Sequence, residues 1–213
     1  RVLFRSDAPG VSVRAPGDEG GNVLPWFLGS GGYLRFDHCV AAANQRLSAT
    51  AIAPRHALCA AVLHAAVNLG VGRATLDAAI AYAKIRVQGA RPIIQHQAIG
   101  TKLANVATRL EAARSLVWKA AWSLDHPGAS ASELPVETQV AMARSFTAEN
   151  VHVAVHDATE CFGAMGVMRD MPLQRYVQDA LRFLHSGTAT AVDLFDVGEV
   201  VAGFDAARRS AGG

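Results

Sequence analysis

The sequence predicts a mainly α protein: an up-down helical bundle preceded by the remnant of a β domain. Three observations carry this reading. From about Pro54 onward the chain consists of long Ala- and Leu-rich segments. Ile99, Leu103, Val106, Leu110, Ala113, Val117, Ala120 and Leu124 alternate steps of four and three residues, the seam of a left-handed helix bundle. Residues 1–48, by contrast, are rich in turn signals and hold only short alternating segments, too few for an independent sheet.

Bulk numbers agree. Of 213 residues, 51% are apolar but only 7% aromatic, which favours close helix packing over a bulky β core. The net charge of +2 is made of interspersed charges, without the basic stripe that nucleic acid requires. Cys39, Cys59 and Cys161 are sparse and odd in number. They fit a reducing compartment, so a cytoplasmic location is expected. The longest apolar run, Leu58 to Leu69, is interrupted by His64 and Asn68 and is too short for a bilayer, so no membrane span is expected. The chain starts at Arg1 in strand-like sequence, as expected of a piece lacking an N-terminal part.

The elements follow in order. Val11-Ser12-Val13 and Tyr33 to Phe36 alternate as strands do, between the turn signals at Asp7 to Gly10, Ala15 to Asp18 and Gly29 to Gly32. The expected domains are 1–48, the end of the β domain, and 49–213, the bundle. Pro54 suits a first helical turn, and one helix should run to about Gln88, ended by Gly89 and Pro92. Gly70 and Gly72 weaken it but allow close helix contact. A second helix should span about Ile94 to Leu124. A third, about Val136 to Phe162, carries Val151, Val155, Ala158 and Phe162 as its apolar stripe. Gly163-Ala164-Met165-Gly166 breaks it. A short helix follows from about Leu173 to Leu184. The last, about Thr190 to Ala207, shows Leu194, Val197, Val201 and Phe204 at 3-4-3 spacing.

Residues 86 to 97 (Arg-Val-Gln-Gly-Ala-Arg-Pro-Ile-Ile-Gln-His-Gln) are poor core material set between two apolar helices. Arg86, Gln88, Arg91, His96 and Gln97 suit an anion, because a planar guanidinium matches two phosphate oxygens. A blander reading places the arginines as cations at a helix C-terminus. Glu149, His152, His156 and Glu160 share one helix face, which reads as a salt-bridged surface rather than as metal ligands.

Long helix, Arg/Gln turn, long helix, loop, long helix, Gly break, then Arg175-Tyr176-Val177-Gln178-Asp179-Ala180 and Gly187-Thr188: this order resembles the C-terminal half of the acyl-CoA dehydrogenase family. Asp7 to Val13 and Leu34 to Val40 resemble the end of that family's middle β domain, and Glu160 to Gly166 its Gln-x-x-Gly-Gly-x-Gly break. The resemblance implies FAD bound between a β domain and the bundle, at a site shared between subunits of a homodimer, a homotetramer or a hetero-oligomer with a homologous chain. It places Arg86, Gln88, His96, Gln97, Glu160, Gly163, Gly166 and Thr188 at the cofactor, acyl-CoA as the substrate, and an electron-transfer flavoprotein or another acceptor downstream.

The chain also departs from the pattern. Gly89 stands where the family has an aromatic, and Glu160 where it has Gln. The carboxylate that takes the substrate's α-proton usually precedes Gly-Thr, but here Ser186 does; its other family location aligns with Ala60, next to Ala61. Three alternatives stand: a base from elsewhere, with His185 and Ser186 as the candidate catalytic positions; a flavin monooxygenase of the same fold; or a non-catalytic subunit that completes a homologue's FAD site.

Overall fold

A computed structural model describes residues 7–14, 33–40, 42, 53–129 and 133–204. Residues 1–57 and 58–213 form two compact units. The expected boundary at 48/49 lies outside the described residues.

In the first unit, β1 (Val11–Arg14) pairs antiparallel with β2 (Tyr33–Phe36), Val11 opposite Phe36 and Arg14 opposite Tyr33. The two alternating segments of the sequence thus form one ribbon.

The second unit holds nearly all of α1 (Ala53–Ile85) and then α2 (Gln97–Asp125), α3 (Val136–Glu160), α4 (Leu173–Phe183) and α5 (Thr190–Ala202). Between α1 and α2 lie β3 (Val87–Gln88), β4 (Arg91–Pro92) and a 3-10 turn at Ile93–Gln95. Proline sets the helix starts: Pro135 and Pro172 flank the first residues of α3 and α4, where a missing N–H costs nothing. Lys84 and Arg182 sit in the last turns of α1 and α4, and Glu137 in the first turn of α3, each opposite in sign to the local helix-dipole end. Gly203, at φ 69°, closes α5.

The α2 seam packs as its spacing dictates. Leu103, Val106, Leu110, Ala113, Val117, Ala120 and Leu124 are buried, and Ile99 is half-buried. Facing them, Val151, Val155, Ala158 and Phe162 of the α3 stripe are all buried. At one end Val62 and Ala65 of α1 join Val117, Ala120, Leu124, Val140 and Ala143 in a single cluster. Each fully buried Val or Leu contributes about 1.5–3 kcal/mol. A β-carbon on Gly72 would stand 2.5 Å from Leu110 Cδ2 and 3.3 Å from Val151 Cγ1, whereas one on Gly70 would meet nothing within 4 Å. Gly72 alone is the close helix contact.

Two features go beyond the sequence pattern. The 3-4-3 spacing of α5 does not mark core: Leu194 is 49% exposed, Val201 63% and Phe204 47%, and Val197 is half-buried. The buried residue of α5 is Asp193, so a charge attaches this helix and its apolar face points outward. Secondly, α1 is by length and composition sufficient to cross a bilayer, with Pro54–Ile85 as the candidate span. The run from Leu58 to Leu69, interrupted by His64 and Asn68, is only one part of this longer helix. The helix carries Asn68 buried and pairs Arg73 with Asp77 at 3.1 Å.

Candidate functional site

The turn after α1 is a two-residue hairpin. β3 and β4 pair Gln88 with Arg91, and Gly89 and Ala90 between them have φ 61° and 63°. Two positive φ angles in a two-residue loop match the twist of the strands. Ala90 pays for this with about 1–2 kcal/mol of backbone strain. His96 holds the loop from below: Nε2 lies 3.0 Å from the Gln88 carbonyl, and Nδ1 lies 3.2 Å from Arg91 Nη2. A guanidinium only donates, so Nδ1 accepts, and Nε2 carries the proton it gives to Gln88. His96 is thus an internal tie of the turn. Its ring underlies Gly89, where a β-carbon would come within 3.4 Å of Cε1. The Ile93 N–H donates to the Arg86 carbonyl at 2.8 Å, and the Ile93 side chain is buried, which roots the hairpin. Arg86, Gln88, Arg91 and Gln97 are exposed.

The end of α3 lies at the same end of the bundle. Tyr82, one turn before Arg86, stacks on Phe162 with ring centroids 4.3 Å apart. Glu160 forms an ion pair with Lys102 of α2. That hydrogen bond lowers the Glu160 pKa and raises that of Lys102. Lys102, rather than Arg86, is therefore the cation that balances this carboxylate. Gly163 has φ 54°, and a β-carbon there would enter open space. Gly166 is different: it is buried, and a β-carbon would meet the Thr159 carbonyl oxygen at 2.9 Å. Its role is packing under the break.

The remaining predicted residues sit elsewhere, in the loop from α4 to α5. His185 is exposed, and its N–H donates to the Arg182 carbonyl at 3.1 Å. Ser186 and Thr188 are half-buried. Gly187 has φ 82°, and its β-carbon position lies 3.4 Å from Nη1 of Arg144. Arg144 of α3 also grips Asp193: Nε donates to Oδ2 at 2.6 Å, and Nη2 donates to Oδ1. Asp193 is buried and Arg144 half-buried, their side chains 4% and 17% exposed. On the α1 side of this loop stands His64, half-buried, its ring 4.7 Å from that of Phe183 in an edge-on contact. Burial, then the nearby Arg144 charge, lowers its pKa.

The predicted site residues therefore fall into two groups. The hairpin, Glu160, Gly163 and Gly166 cluster near Tyr82; His185, Ser186 and Thr188 cluster near His64. Along α1 those two anchors are about 27 Å apart at 1.5 Å per residue. His64, Lys102, Arg144 and Asp193 were not among the sequence candidates. The available signal was a polar residue inside an apolar helix stripe, as at His64 and Arg144.

Beside His185, His152 has its pKa lowered by burial, then by the charges of His156 and His185. The His152 and His156 rings meet edge to face at 4.9 Å. With Glu160 engaged by Lys102, three residues of the four-residue face read from the sequence are divided between a ring pair and a salt bridge.

Comparison with known proteins follows the same lines. The family model described as acyl-CoA dehydrogenase, C-terminal domain, matches residues 55–193. The 3-sulfinopropanoyl-CoA desulfinase of Paraburkholderia xenovorans is 42% identical over 123 residues, 58% of this chain and 30% of its own length. The benzylmalonyl-CoA dehydrogenase of Aromatoleum aromaticum is 34% identical over 194 residues, 89% of this chain and 48% of its own. Among solved structures, the ChsE4-ChsE5 complex from Mycobacterium tuberculosis superposes with a TM-score of 0.78 at 28% identity, covering 96% of this chain and 52% of that one. This chain thus spans about half the length of these relatives, or less. It belongs to the acyl-CoA dehydrogenase family, whose C-terminal domain it carries.

Proposed function

We propose that this chain is the C-terminal part of an FAD-dependent oxidoreductase that desaturates an acyl-CoA thioester between its α and β carbons. One observation carries the reading: the family match covers the bundle from residue 55 to residue 193, while an exposed Arg/Gln hairpin and an open glycine break share one end of it. These residues fit a dinucleotide. Arg86 would pair with a diphosphate, with Gln88 and Gln97 as hydrogen-bonding neighbours. The open space at Gly163 is a cradle that a β-carbon would fill. Glu160 is charge-balanced by Lys102 and does not oppose an anion. When bound, the flavin supplies a two-electron acceptor for hydride. His96 orders the hairpin, and Thr188 would contact the cofactor from the opposite end of α1. Because these two groups lie so far apart along one helix, a cofactor site built from both would draw them from different subunits. That supports at least a homodimer.

A second reading is a non-catalytic subunit of a hetero-oligomer. Ala60 and Ser186 favour it, since neither position offers a carboxylate, and so does similarity to a complex of two named chains. Purification of the complete natural polypeptide containing this chain separates the two. A yellow protein whose flavin is bleached anaerobically by an acyl-CoA is the expected result. A colourless protein that gains flavin only with a homologous partner would favour the second reading, and a flavin that only an external reductase bleaches and that oxygen then reoxidises would point to a monooxygenase.

A further inference from the structure

We propose that His64 is the base that removes the α-proton of the acyl thioester, standing in for the carboxylates missing at Ala60 and Ser186; this rests on the acyl-CoA reading above. Ala60 and His64 are four residues apart on α1 and therefore share a helix face one turn apart. Phe183, in contact with the His64 ring, ends α4 just before the loop that holds Ser186. Arg144 reaches both places: its charge acts on His64, and its Nη1 abuts Gly187. One missing base position is thus a helix turn from His64, and the other follows the helix whose Phe183 touches the His64 ring. His185 is exposed to solvent, and a serine hydroxyl is not basic enough without a partner base.

The surroundings suit a resting neutral base. Phe183 of α4 gives His64 an apolar wall, Arg144 of α3 presents a positive charge, and Asp193 of α5 takes up Nε and Nη2 of that arginine. Burial, then the guanidinium, lowers the imidazole pKa and so favours the neutral form, the one that can accept a proton, near neutral pH. In the step proposed, the C–H bond α to the thioester carbonyl breaks. Its proton goes to the imidazole, and the electron pair stays on the substrate as an enolate. In heavy water the imidazolium trades its proton for a deuteron and returns that to the α carbon. This exchange consumes no oxidant.

The test is α-proton exchange of a saturated acyl-CoA in heavy water, followed by NMR with the complete flavin-loaded polypeptide under anaerobic conditions. Wild-type protein should exchange with a pH profile that inflects in the imidazole range. His64→Gln should slow exchange by about 10²–10⁴-fold and remove that inflection while acyl-CoA binding, titrated separately, is retained. His64→Gln with Ala60→Glu should regain exchange, now with a carboxylate inflection. Unchanged exchange in His64→Gln, or a carboxylate inflection in the wild type, overturns the proposal without needing the variant to fold well. Wild-type protein that binds acyl-CoA but does not exchange also overturns it. Failure to bind any acyl-CoA would instead overturn the functional reading on which it rests.

Discussion

The two ends of α1 are held in opposite ways. At Arg86 to Gln97 the chain ties itself: His96, eight residues after Gln88, accepts from Arg91 and donates to the Gln88 carbonyl. At the α4–α5 loop the tie comes from far along the chain, where Arg144 grips Asp193, 49 residues away. The first device is exposed and short-range; the second is buried and charged. A local turn can keep its shape whatever the bundle does. The loop carrying Ser186 and Thr188 keeps its shape only while α3 and α5 stay in place.

Cutting the long-range tie should do the greatest damage. Arg144→Met leaves the Asp193 carboxylate buried without its partner, which should cost about 3–5 kcal/mol in urea unfolding. Adding Asp193→Leu should recover most of that loss, since an apolar pair of similar volume replaces a buried ion pair at little cost. If the single variant loses less than the double, the buried pair is not what fixes α5. Cutting the local tie should be milder: His96→Ala should cost about 0.5–1.5 kcal/mol for each hydrogen bond lost. Proteolysis should then increase within residues 86–97 and not within 184–189; equal sensitivity in both segments would refute the separation of the two ties.

Acid supplies a smaller probe. His64 and His152 both have folded pKa values below the ordinary imidazole value of 6.5. The unfolded chain therefore binds protons first. The stability linked to these groups is fully present above about pH 6.5 and is lost as pH falls from there through their lowered folded values. His64→Gln should flatten this part of the stability profile, read as urea midpoints across pH. A profile identical to that of the wild type would show that His64 is not held neutral by its site.

The contrast also explains what the sequence made legible. The α2 seam was plain because seven of its eight positions meet a partner helix that is itself apolar there, so spacing and burial coincide. The hairpin was legible because Gly89, Pro92 and the polar run are contiguous. The α5 stripe was equally regular, yet Leu194, Val201 and Phe204 stay exposed: periodicity reports a face and does not name what covers it. Glu160 stood out as a departure from the family's Gln, but its cation, Lys102, lies 58 residues earlier, and no local pattern links them. The same holds for Arg144 with Asp193. His64 looked like an interruption of an apolar run; only the approach of Phe183 and Arg144 turns it into a site residue. Gly70 and Gly72 are indistinguishable in sequence, and their neighbours alone separate a loose position from a tight one.

The anchoring of α5 through Asp193 has a consequence for motion. A helix with one buried residue has little apolar surface to lose on detaching, so its opening should be a local event governed by that ion pair. Amide hydrogens of Thr190 to Ala202 should accordingly exchange with solvent sooner than those of α2 and α3, and sooner still at high salt in so far as ions reach the pair. The Ser186–Thr188 loop, tied to the same arginine, should share that opening, so the loop would alternate between held and released on the schedule of a helix that ends outside it.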